Sequence, residues 1–162
     1  STPIRPDDTA ATLHDRLADI GARALVYSLR AYLEGRLLPE PQPEEGATYA
    51  PMLKKEQGRI NWCEPAEAID RHVRAYDPWP GTFAVFDGQV LKVLRGAPLP
   101  GEGRGKPPGT VTEYEGGLAV QTGEGLYRLD AVQPPGKRPM TSRAYLLGHP
   151  DILGVQFDGE RE

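Results

Sequence analysis

At neutral pH an acid or base is most often a histidine, and this chain of 162 residues has three, His14, His72 and His149. His14-Asp15 would be half of a metal-dependent dyad, but it lies on an amphipathic stretch with no second histidine or acid cluster, so it reads as a solvated helix face. His72, between Arg71 and Val73, reads the same way, and His149 before Pro150 reads as a turn residue. Cys63 is the single cysteine. It permits no intrachain disulfide and no thiolate cluster, and with no base near it in sequence it reads as a small half-buried thiol. Glycines 101, 103 and 105 are separated by Glu102 and Arg104 in a proline-flanked stretch without the strand and helix that a phosphate loop requires. No catalytic residue and no metal ligand is assigned in this chain.

The remaining chemistry is cationic. A nucleic-acid binder neutralises phosphates with Lys and Arg, yet the net charge is −4, so a basic patch must arise by segregation. The candidates are Lys54, Lys55 and Arg59, close in sequence to Tyr49; Arg71 and Arg74 on a short helix; and Lys137 with Arg138 in a Pro-Gly turn. The competing reading is scattered solubilising charge. Trp79, in Asp77-Pro78-Trp79-Pro80-Gly81, either presents its ring for stacking or is pinned into the core, and the core is the expectation.

The elements that must position these residues follow from composition and period. Hydrophobic residues make up 38% and charged residues 26%, which suits a globular chain of one or two small domains. No apolar run reaches the roughly 18 residues of a membrane span. The first residues include no secretory leader, and the lone cysteine fits a reducing compartment. The 19 glycines and 17 prolines cluster at 39–46, 96–109 and 134–139, between periodic segments, as turns and linkers do.

Thr9 is the expected N-cap of a helix with apolar positions Leu13, Leu17, Ile20, Leu25, Val26, Leu29 and Leu33. Gly35 ends it, and Gly21 makes it either one bent helix or two. Its apolar face needs a partner that nothing nearby supplies. Residues 38–62 have no sustained period and read as a linker. Beyond them come a brief helix seeded by Pro65 and strands at 82–86, 89–97, 110–114, 118–122 and 126–133, with turns at Asp87-Gly88, Gly116-Gly117 and Gly123-Glu124-Gly125. Thr141 or Ser142 caps a last short helix through Leu147. The fold class is therefore mainly β with short helices, and the expected architecture of 63–162 is an OB-like β-barrel.

Six motifs in order carry a resemblance over most of the chain. They are Asp8-Thr9 leading into Leu13-His14-Asp15-Arg16-Leu17-Ala18-Asp19-Ile20-Gly21; Ala47-Thr48-Tyr49-Ala50-Pro51; Lys55-Glu56 with Arg59-Ile60-Asn61-Trp62; Arg74-Ala75-Tyr76-Asp77-Pro78-Trp79-Pro80-Gly81; Thr122-Gly123-Glu124-Gly125; and Gln133-Pro134-Pro135-Gly136-Lys137-Arg138-Pro139-Met140. The chain resembles the C-terminal part of the methionyl-tRNA formyltransferase family. Met52 stands where that family often has lysine, and Asn61 where it usually has aspartate.

The resemblance implies that residues 1–37 are the terminal strand and helix of a doubly wound α/β formyltransferase domain, 38–62 the linker and 63–162 the C-terminal OB-like barrel domain. It implies transfer of a formyl group from 10-formyltetrahydrofolate to the α-amino group of initiator methionyl-tRNA in translation initiation. Neither the folate site nor the catalytic residues are in this chain, which should be inactive alone, and no metal is expected. The partners implied are initiator methionyl-tRNA and the chain's own catalytic domain, in a cytoplasmic monomer without membrane attachment. By analogy Lys54, Lys55, Arg59, Arg74, Lys137 and Arg138 are the tRNA-binding residues. The alternatives are the C-terminal domain of a formyltransferase acting on a sugar amine and a standalone oligonucleotide-binding module.

Overall fold

Thr9 starts the first helix as its context requires. Its backbone is extended, its hydroxyl accepts from the Thr12 amide at 3.3 Å, and the Thr12 hydroxyl accepts from the Thr9 amide at 3.0 Å. Two amide donors that the helix leaves without partners are thereby satisfied. In the computed structural model, which describes residues 1–103 and 105–158, helix α1 then runs through Ala10–Leu33 without interruption at Gly21. Of the two readings, one helix or two, the molecule has one. Gly35 follows the helix at φ 72°, a conformation that costs glycine nothing.

Asp8 locks the start of α1. Its carboxylate receives both terminal nitrogens of Arg16, at 2.8 and 2.5 Å, and the Arg5 amide at 2.6 Å. These bonds, the Arg16 guanidinium first among them, hold the carboxyl far below the usual carboxylate range. Residues 1–5, ahead of this start, have no regular secondary structure.

The chain divides into the units Ser1–Leu53 and Lys54–Glu162. Arg104, from the glycine stretch, and 159–162, the end of the expected barrel domain, lie outside the described residues. The second unit begins with a 3-10 turn at Lys55–Gly58 and helix α2 at Ala66–Ala75. Strands β1 (Thr82–Phe86), β2 (Gln89–Leu99), β3 (Val111–Tyr114), β4 (Gly117–Gln121), β5 (Leu126–Gln133) and β6 (Met140–Thr141) follow, then α3 at Ser142–Gly148 and a short turn at Pro150–Ile152.

The linker expected at 38–62 does not reach its C-terminal bound. The Ile60 amide donates to the Phe83 carbonyl, and Ile60 and Trp62 are buried within the core formed by Ile69, Val73, Leu91, Val93, Leu118, Val120, Tyr127, Leu129 and Phe157. Two apolar residues at i, i+2 after a polar stretch are too few to establish a period, so residues 54–62 read as linker although they pack with the strands.

The strand order is β1-β2-β5-β4-β3, with every pairing between these strands antiparallel and β6 on β5. Strands β1 and β3 are the open ends of this path, so the closed barrel expected from strand count is corrected to an open, mainly antiparallel sheet. Residues 154–158 run between the two ends as irregular chain: the Val111 amide donates to the Val155 carbonyl, the Phe157 amide to Gly109 and the Asp158 amide to Val85. The Asp87-Gly88 hairpin forms with φ 46° and 71°, as its residues favour. The next turn falls on Glu115-Gly116, at φ 50° and 76°, one residue before the expected Gly116-Gly117, because Gly117 pairs with Tyr114 inside the ladder.

Candidate nucleic-acid interface

Of the seven cations singled out from sequence, Arg71 is exposed on α2, and the six assigned to tRNA by analogy fall into two groups. Lys54 and Lys55 are exposed at the start of the 3-10 turn. That turn is tied to α2, where His72 Nε2 lies 2.8 Å from the Gln57 carbonyl oxygen. Arg59 is half-buried with a guanidinium nitrogen 3.7 Å from the Asp158 carboxylate, and Arg74 Nε donates to Asp70 at 2.8 Å on α2. Asp70 and Arg74 also stand near the buried phenol of Tyr127, which burial, then the Asp70 and Asp130 carboxylates, keep neutral far above its ordinary titration range. Arg59 and Arg74 are thus partly engaged by acids of the fold, and Lys54 and Lys55 are the open cations of this group.

The second group is Lys137 and Arg138, exposed in the turn between β5 and β6. The Gln133 side chain donates to the Lys137 carbonyl at 2.9 Å, and Gln133 lies opposite Lys92 on β2. The turn therefore sits beside Lys92, and Val90, Lys92, Gln133 and residues 134–136 share one depression.

Beyond Lys92 the pairing of β2 and β5 is irregular at Val93/Arg95 and again at Arg95/Gly96. In a regular strand Lys92 and Leu94 would share a face and Arg95 the opposite one. The extra residue at 94 re-aims Arg95 to the exposed side, as β-bulges do. Arg95 there joins Arg128 from β5 and Arg143 from α3 around an open depression of about 320 Å³, with the Tyr114, Thr141 and Ser142 side chains and the acids Glu115 and Asp130. Arg128 donates to Asp130 at 2.8 Å, an engagement that raises the guanidinium's proton affinity. Arg95, Arg143, Lys92, Lys137 and Arg138 form no ion pair among the described residues.

Sequence reading missed Lys92, Arg95, Arg128 and Arg143. They are isolated along the chain and meet only through the register Lys92↔Gln133, Ala97↔Arg128 and Ala131↔Thr141. The outward alternation of 89–97 is a sequence signal for Lys92; none existed for Arg95, which faces outward because of the bulge.

The remaining candidates carry no site. His14 is exposed on α1, and the His149 ring stacks on Tyr145 with centroids 4.3 Å apart. Cys63 is exposed rather than half-buried. Among the described residues no group of three or more His, Cys, Asp or Glu side chains is arranged to hold a metal ion, and no helix is long and apolar enough to cross a membrane. Trp79 departs from its expected core position and is 52% exposed; the tryptophan in the core is Trp62, packed against Phe157.

Residues 52–150 match the family described as formyl transferase, C-terminal domain. The chain is 44% identical to the methionyl-tRNA formyltransferase of Heliobacterium modesticaldum over 97% of this chain and 52% of that protein. It is 42% identical to the enzyme of that name from Geobacillus thermodenitrificans, over 94% of the chain and 48% of the relative, and 43% identical to that of Gluconobacter oxydans, over 97% and 50%. The chain spans about half the length of the curated relatives it matches. Among solved structures it shares the fold of HypX from Aquifex aeolicus, solved with tetrahydrofolic acid, at a TM-score of 0.68 and 18% identity over 99% of this chain and 30% of that one. A sheet of this order, and the motifs from the linker to the Gly136-Lys137-Arg138-Pro139 turn, place the chain in the formyl transferase C-terminal domain family, beside relatives named methionyl-tRNA formyltransferase.

Proposed function

We propose that this chain is the tRNA-holding half of a methionyl-tRNA formyltransferase. The observation that carries the reading is that Arg95 and Arg143 line one depression and that Lys92 lies opposite Gln133, which bonds the Lys137-Arg138 turn, in a chain of net charge −4. Lys54, Lys55, Arg59 and Arg74 form a second contact region on the 3-10 turn and α2. The OB-like reading of the second unit rests on residues 154–158 hydrogen-bonding to both open ends of the sheet.

The catalytic half is a doubly wound domain of which residues 1–37 are the last part. Leu17, Ile20, Leu25, Val26, Leu29 and Leu33 on α1 are exposed, and such an apolar stripe belongs against a partner surface. In the whole enzyme the methionyl α-amino nitrogen attacks the formyl carbon of 10-formyltetrahydrofolate. The new C–N bond forms, the bond from that carbon to N10 breaks, the amine gives a proton to a base and N10 takes one on leaving. Folate and base belong to the catalytic half. This half contributes position: a covalently attached RNA-binding surface raises the effective concentration of the aminoacyl end at the catalytic domain. The protein acts as a cytoplasmic monomer in translation initiation.

Titrating labelled tRNA into this chain at low and high salt tests the reading. Binding that weakens steeply with salt is expected, together with no formyl transfer by the chain alone; salt-insensitive binding would overturn it.

A further inference from the structure

Trp79 is 52% exposed, whereas the other tryptophan, Trp62, is 1% exposed. The loop that carries Trp79 is fixed on two sides. The Gly81 amide donates to the Tyr76 carbonyl at 2.9 Å, closing the loop onto the end of α2. The Gly81 carbonyl packs on Gly58 so closely that a Cβ at residue 58 would overlap it. A rigid backbone thus holds out an uncovered ring. On the segments joined to this loop are Lys54 and Lys55, at the start of the 3-10 turn that Gly58 ends, and Arg74, in the last turn of α2 and paired to Asp70; Glu56 and Asp77 are the other acids there.

The surroundings decide what such a ring receives. A protein or lipid contact needs a contiguous apolar patch of a few hundred Å². Of the other large exposed hydrophobics, Val90, Leu147 and Leu153 lie on other elements, and Met52 and Leu53, directly before Lys54 in sequence, are two side chains rather than an extended patch. A single aromatic flanked by cations suits a nucleobase, which presents a flat π-face beside a phosphate backbone. We propose that Trp79 is a stacking platform for an unpaired base of bound RNA, whose backbone tracks Lys54 and Lys55. The proposal rests on the reading of this chain as RNA-binding and adds a preference for a single-stranded segment, which phosphate contacts alone do not supply.

Because Trp62 is buried, fluorescence changes on RNA binding report Trp79. The probes are an RNA hairpin with a short single-stranded 3′ end and the blunt hairpin of the same stem. The overhanging hairpin is expected to quench the emission and bind more tightly, the blunt one to do neither. Trp79→Ala should weaken binding of the overhanging hairpin roughly tenfold while leaving the blunt hairpin and the salt slope unchanged, since no phosphate contact is removed. Trp79→Phe, which keeps a ring, should retain most of the preference. Salt-dependent binding of both hairpins without quenching, and with Trp79→Ala indistinguishable from the parent, would overturn the stacking role and leave the RNA reading standing. Failure of either hairpin to bind at low salt would overturn both.

Discussion

The double substitution Arg95→Ala and Arg143→Ala removes two exposed cations from the sheet's outer face and leaves the core intact. Surface changes of this kind shift stability by only about 0.5 kcal/mol, so altered binding would not come from unfolding. Arg128 stays with Asp130 at 2.8 Å and is left out of the count. If Lys92, Arg95, Lys137, Arg138 and Arg143 each neutralise one phosphate of a double helix, log affinity falls with log salt at a slope of about −4.5. Between 50 and 200 mM salt, affinity then drops about 500-fold. Without Arg95 and Arg143 the slope becomes about −2.7 and the drop about 40-fold. The assay is fluorescence anisotropy of labelled tRNA over a salt series, with Arg23→Ala on α1, 82% exposed and paired only to Asp19 at 3.0 Å, as the control. A double variant that keeps the parent slope would refute the assignment of this face to phosphate, whatever happens to its absolute affinity.

Three further outcomes follow from packing and charge. Trp62→Ala should cost about 3–5 kcal/mol in urea unfolding, because the ring is buried against Phe157; a linker position would show almost no change. Gly123→Ala places a Cβ on the Cys63 carbonyl where the Gly123 amide bonds Glu64, and should lose about 1–3 kcal/mol, so a variant as stable as the parent would disprove this close approach. Asp8→Asn should lower far-UV helicity or its thermal midpoint near neutral pH. The Asp8 carboxyl is lowered by Arg16, so its contribution is complete above the ordinary carboxylate range and is lost as pH falls through the lowered value; the difference from the parent must shrink in strong acid, and a difference that persisted there would contradict the charge pairing.

Sequence reading recovered what local rules control. Thr9, Asp87-Gly88 and the alternation of 126–133 each specify an element through a cap, a turn or a period, and α1, the β1–β2 hairpin and β5 stand where expected. It failed where a distant contact decides. Ile60 and Trp62 are core only because Phe83 and Phe157 come to them. Trp62 is inside and Trp79 outside, a difference that the neighbours of neither residue in sequence reveal. The sheet's open ends could not be counted from strands, since residues 154–158 reach both β1 and the chain around β3 with only the single bridge Thr110↔Gln156. At the interface, Lys137-Arg138 was legible as a basic turn, whereas Arg95 needed a bulge to face outward.

The acidic balance of the chain is itself accounted for by where its acids are spent. Asp8 holds Arg16, Asp70 holds Arg74, Asp130 holds Arg128 and Asp158 stands against Arg59. Each of these pairs fixes an element: a helix start, the end of α2, the bulged part of β5, and the segment between the sheet's open ends. Pairing there engages part of each guanidinium and leaves less of it to phosphate. Lys92, Arg95, Lys137, Arg138 and Arg143 form no such pairs among the described residues; Arg95 and Arg143 line one depression, and Lys92 lines another beside the turn that carries Lys137 and Arg138. Because screening at physiological salt limits interactions between exposed charges to about 8 Å, a phosphate approaching either depression responds to this local surplus far more than to the net charge of −4. A whole-chain charge count therefore underestimates the capacity to bind a polyanion, and the pairing pattern is the quantity that decides it.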